Sequence, residues 1–273
     1  MIKLLILGPT GEMGKLISKL AFDDPEINIV AALDVNHIGK SLNQIIGSSS
    51  PKEVMIYDVK DLLTIIKNFN PNIAVDFTIA KATEENALKC VKNNIKCVIG
   101  TTGMSEEFFK KLETLVEEKN VPVVISPNMS TGINVIFKIV ENLTSYLKDW
   151  DIELIETHHH RKRDVPSGTA LKIAEIISQS LHVNLEDVAK YGRKKGLNKR
   201  NVGAENEIGI HAIRGGDIVG DHTILFAGKG ERIELKHQAQ SRLCFAEGAI
   251  KAIKFLDKSE EGKVYNTKDF LNL

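Results

Sequence analysis

Short apolar runs alternate with stretches of helical period through the first half of the chain. Residues 3–7 form one such run, after which Met13, Leu16, Ile17, Leu20 and Ala21 recur every three or four positions, so the pattern predicts strand, turn and helix. The alternation continues with strands at 28–33 and 73–77, a helix around 82–91, a strand at 97–99, a helix over 105–119 and a strand at 123–125. Strands separated by helices of this length predict βαβ units and a parallel sheet. In the 105–119 helix, Ser105 is placed to cap, Glu106 and Glu107 suit the first turn, and Phe108, Leu112, Leu115 and Val116 form the buried stripe.

After Pro127 the pattern changes. Ile133, Ile136, Phe137, Val140 and Leu143 predict one long amphipathic helix, followed by a strand at 152–155 and a helix over 168–181. From 207 to 239, short apolar runs are cut by glycine turns, which predicts an antiparallel meander. Phe245, Ala249, Ala252, Ile253 and Leu256 then return to helical spacing, as a final helix covering the first sheet would require.

Composition narrows the partners. The 273 residues carry 36 basic and 36 acidic side chains, so no surplus of cations points to nucleic acid, and none is expected as a partner. No apolar run approaches the roughly 18 residues of a membrane span, and the first apolar run is too short for a cleaved leader. Three cysteines, Cys90, Cys97 and Cys244, form no C-x-x-C pair, which favours a reducing cytoplasm over a disulfide framework. Arg193, Lys194, Lys195, Lys199 and Arg200 crowd one polar segment, expected to be a solvated mobile loop.

Candidate chemistry begins at Gly8-Pro9-Thr10-Gly11-Glu12-Met13-Gly14, between the first strand and first helix. Glycines there let the backbone turn tightly and approach a pyrophosphate, whose charge meets the N–H groups at the helix start. The spacing is G-x-x-G-x-x-G, not G-x-G-x-x-G, so a plain turn remains the alternative on the glycines alone. Asp34, twenty positions after Gly14, suits a ribose acceptor and would repel the extra phosphate of NADP, which favours NADH over NADPH. Lys40 is the nearby cation able to offset it. Phe77-Thr78, Gly100-Thr101-Thr102-Gly103 and Ser126-Pro127-Asn128-Met129 also follow strands, where an open parallel sheet places its ligand.

The segment from Glu156 to Ala170 holds three of the eight histidines. In an extended strand His158 and His160 share a face while His159 points away. A zinc site would need further ligands, and His211, His222 and His237 show no ligand spacing, so no metal is expected. Pro166 precedes Ser167-Gly168-Thr169, which begins a helix whose N–H groups suit a carboxylate, and Lys162 adds charge beside it. An imidazole and an ammonium beside a bound dianion can supply protons near neutral pH. An exposed basic loop with a capped helix is the plainer alternative. No G-x-S-x-G elbow or paired-carboxylate arrangement occurs, and Cys90 and Cys97 read as core.

The stretch Glu156-Thr157-His158-His159-His160-Arg161-Lys162-Arg163-Asp164-Val165-Pro166-Ser167-Gly168-Thr169-Ala170 closely resembles the signature of the dihydrodipicolinate reductase (4-hydroxy-tetrahydrodipicolinate reductase) family of the diaminopimelate route to lysine. The turn at 8–14, the Gly-Thr-Thr-Gly at 100–103, the loop at 126–130 and the block Arg214-Gly215-Gly216-Asp217-Ile218-Val219-Gly220-Asp221-His222-Thr223 are similar to the family's other motifs. The resemblance implies hydride transfer from NADH or NADPH to an unsaturated cyclic imine dicarboxylate, giving tetrahydrodipicolinate. It implies His158 as proton donor and acceptor and Lys162 as proton donor. His159 and the N–H groups of Gly168 and Thr169 would hold the carboxylates.

The resemblance further implies a homotetramer built through the second sheet and closure of two domains around the ligands. The resulting expectation is an α/β fold: a Rossmann-like parallel-sheet dinucleotide-binding domain at 1–129, completed by 240–273, plus a smaller α+β domain with a mixed or antiparallel sheet at 130–239 for substrate and assembly. Val165 stands where the family usually has Ala, His160 and Arg161 fall at positions the family varies, and the 194–198 loop departs from its usual pattern. Two rival readings are a nicotinamide oxidoreductase acting on a polyol or hydroxy acid, and a non-catalytic dinucleotide-sensing protein.

Overall fold

The strand expected at residues 3–7 is β1 (Ile2–Leu7) in a computed structural model, which describes residues 1–200 and 207–273. It is followed by α1 (Glu12–Asp23), β2 (Ile27–Asp34), α2 (Leu42–Ile46), β3 (Ile56–Asp58), α3 (Leu62–Phe69), β4 (Ile73–Asp76), α4 (Ala80–Lys92), β5 (Lys96–Ile99), α5 (Glu106–Lys119) and β6 (Val123–Ile125). Then come α6 (Thr131–Tyr146), β7 (Asp151–His158), α7 (Gly168–Ser180), α8 (Leu185–Val188), β8 (Ala189–Tyr191), β9 (Ile208–Arg214), β10 (Gly220–Ala227) and β11 (Arg232–Ala239). The chain ends with α9 (Leu243–Lys258), β12 (Val264–Tyr265) and α10 (Thr267–Leu271). Two units result, one of Met1–Thr131 with Leu243–Leu273 and one of Gly132–Arg242.

In the first unit seven strands run parallel in the order β12-β6-β5-β4-β1-β2-β3. Strand side chains alternate between faces, so Leu4 and Ile6 join one buried layer with Ile17 of α1 and Ala249 and Ile253 of α9. Leu5 and Leu7 join the other, with Cys90 of α4 and Leu112 and Val116 of α5. Burial on both faces is what makes such strands continuous apolar runs. The connection order reverses between β1's neighbours β2 and β4, and an open α/β sheet leaves its crevice at such a point, outside the carboxyl ends of the strands. Ser105 caps α5 by accepting the Phe108 N–H at 3.1 Å.

The second unit has a mixed sheet, ordered β11-β10-β7-β9-β8. The expected meander is corrected here: β9 and β10 do not pair, because β7 lies between them, parallel to β9 and antiparallel to β10. Beyond β9 the chain does not fold back as a hairpin. It crosses the end of β7, and the Gly215 N–H donates to the His158 carbonyl at 2.9 Å, while the N–H groups of His159 and His160 donate to Ile218 and Gly216 carbonyls at 2.7 and 3.2 Å. Ile152 and Leu154 of β7, Ile208 and Ile210 of β9 and Ile224 and Phe226 of β10 pack with α6 and α7 in one apolar layer.

The basic segment is exposed from 191 to 199, and Arg200 is half-buried. Its two arginines are also anchored, which composition did not suggest: both pair with Glu153 on the opposite face of β7, at 3.0 and 2.5 Å, and Arg193 also reaches Glu207 at 2.5 Å. Gly209 makes room for that carboxylate, since a Cβ there would lie 1.6 Å from Glu153 Oε2. Lys194, Lys195 and Lys199 are exposed. Among the described residues no helix is long and apolar enough to cross a membrane.

Candidate functional site

At the carboxyl end of β1 the glycine turn is held by close contacts. Gly8 has a φ of +71°, which favours glycine, and a Cβ on Gly14 would lie 2.0 Å from the Gly8 carbonyl oxygen. Gly11 is the N-cap of α1, and the first turn carries Glu12 and Met13. Asp34, at the end of β2, is buried against this turn: Oδ2 accepts from the Thr10 N–H and hydroxyl at 3.1 and 2.7 Å, and Oδ1 accepts from the Val35 and Asn36 N–H groups at 2.7 and 3.1 Å. The carboxylate therefore ties two strand ends together. Pro9 is buried beneath the turn.

The neighbouring loops meet on a residue the motif search missed. Asp76, closing β4, accepts from the Thr78 N–H and hydroxyl at 2.9 and 2.6 Å, from the Thr83 hydroxyl at 3.0 Å and from the Thr101 hydroxyl at 3.4 Å. Burial pushes its carboxyl above the usual range against those hydrogen bonds. Gly100 packs on the Phe77 ring, 2.0 Å from where a Cβ would stand. Thr101 is buried, whereas Thr102 is exposed at the loop surface. In the Ser126–Met129 loop, the Ser126 hydroxyl donates to the Asn128 carbonyl at 2.9 Å and contacts the Thr267 hydroxyl. Pro127 is exposed, but the Met129 side chain is core, leaving only its backbone to the loop. A glycine cradle with helix N–H groups, flanked by loops at strand ends, fits a dinucleotide.

In the second unit the apolar layer turns polar at one end of the sheet. Along β7, Ile152 and Leu154 give way on the same face to Glu156 and His158; along β9, Ile208 and Ile210 give way to Arg214; along β10, Phe226 and Ile224 give way to His222 and Gly220. Glu156 is fully buried and fully hydrogen-bonded. Oε1 accepts from Arg214 Nη2 at 2.8 Å and the Ser167 N–H at 3.2 Å, and Oε2 accepts from Arg214 Nη1 at 2.9 Å and His158 Nδ1 at 2.5 Å. Burial alone would raise its carboxyl, but the Arg214 and His158 hydrogen bonds hold it below the usual carboxylate range. An ionised carboxylate only accepts, so Nδ1 carries the proton and neutral His158 keeps its lone pair on Nε2. Gly220 leaves that nitrogen space, since a Cβ would stand 2.9 Å from it.

Burial lowers the His158 pKa, with Lys162 and Arg214 adding to the effect and Glu156 opposing it. His222 lies edge-on to His158 with ring centroids 5.2 Å apart, and burial first, then His158, lowers it to about 3. Its Nε2 lies 3.2 Å from the Ser167 hydroxyl, which also caps α7 by accepting the Ala170 N–H at 3.2 Å. The expectation that His158 and His160 share a strand face is corrected: β7 stops at His158, and the turn through 159–162 leaves His160 on the Gly216 carbonyl at 2.9 Å. His159 Nδ1 is buried with no partner among the described residues.

Lys162 pairs with Asp164 at 2.8 Å, and the Gly168 N–H also donates to that carboxylate. Gly168 and Thr169 form the first positions of α7, next to Ser167. The structure thus gathers His158, Glu156, Arg214, Ser167 and His222 into one hydrogen-bonded and packed group. Sequence reading places Glu156, Arg214 and His222 within the family-like motifs but gives them no role; the period-two pattern of β7, β9 and β10 is the signal that groups them. Among the described residues no group of three His, Cys, Asp or Glu is placed to hold a metal.

Two family models match the chain: dihydrodipicolinate reductase, N-terminus, over residues 2–129, and dihydrodipicolinate reductase, C-terminus, over residues 132–271. The 4-hydroxy-tetrahydrodipicolinate reductase of Methanococcoides burtonii is 45% identical over 99% of this chain and 99% of its own. That of Methanocaldococcus jannaschii is 44% identical over 100% of this chain and 98% of its own. The dipicolinate-bound dihydrodipicolinate reductase of Paenisporosarcina sp. TG-14 superposes with a TM-score of 0.77 at 27% identity, covering 100% of this chain and 99% of that one. With both models matched in order across nearly all of its length, the chain belongs to the dihydrodipicolinate reductase family.

Proposed function

We propose that this chain reduces 4-hydroxy-tetrahydrodipicolinate, by way of the unsaturated dicarboxylate formed on loss of water, to tetrahydrodipicolinate in the diaminopimelate route to lysine. The observation that carries the reading is the buried Glu156–His158 pair beside the start of α7, in a chain similar over its whole length to enzymes of that name. The glycine turn at 8–14, Asp34, and the loops at Gly100–Thr102 and Ser126–Met129 would hold the nicotinamide dinucleotide. When bound, the reduced nicotinamide supplies the hydride. His159 and the N–H groups of Gly168 and Thr169 would bind the two carboxylates, and the paired Asp164 would have to share or yield the Gly168 N–H. Lys162, from Nζ, and His158, once its Nε2 has taken up a proton beside the bound dianion, would deliver the proton that accompanies reduction. Domain roles follow the same division: cofactor on the first unit, substrate and assembly on the second. A homotetramer is supported by exposed Ile213 and half-buried Ile155 and Leu225 on the sheet face opposite α6 and α7, and a cytoplasmic setting by three cysteines that form no disulfide among the described residues.

One coupled assay tests the reading. Freshly generated substrate should consume NADH, polyols and hydroxy acids should give no turnover, and kcat/KM should be higher with NADH than NADPH, because a carboxylate at the end of β2 would repel a 2′-phosphate held there. Equal or better efficiency with NADPH would reject the cofactor preference alone; no NADH loss with the substrate would reject the reaction. Replacing Lys162 by alanine should lower kcat at least about tenfold with the cofactor KM unchanged. Wild-type turnover in that variant would remove Lys162 from the reaction.

A further inference from the structure

The carboxylate of Glu156 touches two parts of the site at once. Through Oε2 it holds the His158 ring at 2.5 Å, and through Oε1 it holds the Ser167 N–H at 3.2 Å, the residue that caps α7 and leads directly into Gly168 and Thr169. Arg214 grips both oxygens in a fork, at 2.8 and 2.9 Å, from the position on β9 that pairs with His158 on β7. We propose that the Glu156–Arg214 pair is the positioning element of the site: it fixes the His158 tautomer with Nε2 unprotonated and sets the start of α7 in register with that nitrogen. Neither residue reaches the reacting atoms, and the proposal rests on the reductase reading above for the substrate that Nε2 and α7 would share.

Two physical arguments support it. A lone buried carboxylate beside an imidazole would favour the imidazolium, while a lone buried guanidinium would oppose it; the fork balances them and leaves the ring's orientation as the pair's main effect. The bidentate geometry also removes the freedom of Glu156 to rotate, since all four of its hydrogen bonds constrain one carboxylate plane. The charged and titratable groups facing the pair are His158 on β7, His222 on β10, Lys162 and Asp164 in the loop after β7, and His237 on β11 beyond His222. The last two histidines are held low by burial and are neutral near pH 7.

The test uses the whole chain with Glu156→Gln and Arg214→Met combined, so that neither charge is left buried alone, and Arg214→Lys, which keeps the charge and loses the fork. Nitrogen-15 spectra of the His158 ring in the wild-type protein should show one tautomer protonated at Nδ1, and the double variant a mixture. The double variant should melt cooperatively, lose at least about 30-fold in kcat and keep its cofactor KM; Arg214→Lys should lose less and retain the Nδ1 tautomer in part. A wild-type ring protonated at Nε2, or a folded double variant with wild-type tautomer and turnover, overturns the proposal. Should the double variant fail to fold, Arg214→Lys with unaltered tautomer, pH profile and kcat overturns it, and a loss in all three supports it. A wild-type protein that gives the Nδ1 tautomer and consumes no NADH with substrate would remove the reductase reading while leaving the tautomer result standing.

Discussion

Replacement of His158 by glutamine is expected to lower kcat by about 10²- to 10⁴-fold while leaving the cofactor KM near wild type. Glutamine keeps a hydrogen bond to Glu156 available but carries no titrating proton. The size of the loss follows from general acid catalysis, whose removal raises the barrier by roughly 2.7 kcal/mol or more. A second consequence concerns protons taken up on binding. Burial, Lys162 and Arg214 hold the His158 pKa below its ordinary 6.5, so the free protein's ring is neutral near pH 7. A bound dianion favours the imidazolium and raises that pKa, so binding of dipicolinate near neutral pH should draw protons from the buffer. Calorimetry in buffers of different ionisation enthalpy measures that uptake directly, and His158→Gln should diminish it, leaving only the share of His159. Undiminished turnover in the variant, or proton release on binding, would contradict the assignment of His158.

Gly14→Ala is expected to cost the first unit both stability and its cofactor. The added Cβ would stand 2.0 Å from the Gly8 carbonyl oxygen and 2.8 Å from the Pro9 Cα, and both obstacles are backbone, with no flexible side chain to move aside. The turn and the start of α1 would have to separate, at a cost of about 1–3 kcal/mol or more. The cofactor KM should rise at least about tenfold, because the same separation displaces the N–H groups that meet the pyrophosphate. Gly11→Ala provides the contrast: its Cβ would meet the Gly8 carbonyl oxygen at 3.5 Å, an ordinary contact, so thermal stability should stay near wild type. Melting temperature and cofactor titration check both variants. A Gly14→Ala protein with unaltered melting and cofactor KM would show that the turn is looser than its packing implies.

The first unit was largely legible because its strands are buried on both faces and its helices on one, so apolar runs and helical stripes stand out. The strands at 28–33 and 123–125 match β2 and β6 to within a residue at each end. Elements that span little more than one period and lack a continuous apolar run were not legible: β3 is Ile56-Tyr57-Asp58, β12 has two residues, and α2 has five. In the second unit the glycines after β9 carry the composition of a hairpin, yet their hydrogen-bond partners lie on β7, and no local pattern records a partner more than fifty residues away. Glu156 was hidden for a different reason. Reading the motif as a string of histidines drew attention to neighbours in sequence, whereas the structure assembles every second residue of three strands.

The path of residues 215–219 over the end of β7 has an effect on how the protein tolerates change. Surface connections usually accept insertions and deletions with little penalty. Here the backbone of that connection is bonded to the carbonyl of His158 and to the N–H groups of His159 and His160. Lengthening or trimming it by one residue would shift the backbone it grips and with it the imidazoles that backbone carries, even though no atom of the inserted residue lay near a ligand. A stretch that looks expendable in the linear chain is, in three dimensions, the strap that keeps the histidines aimed.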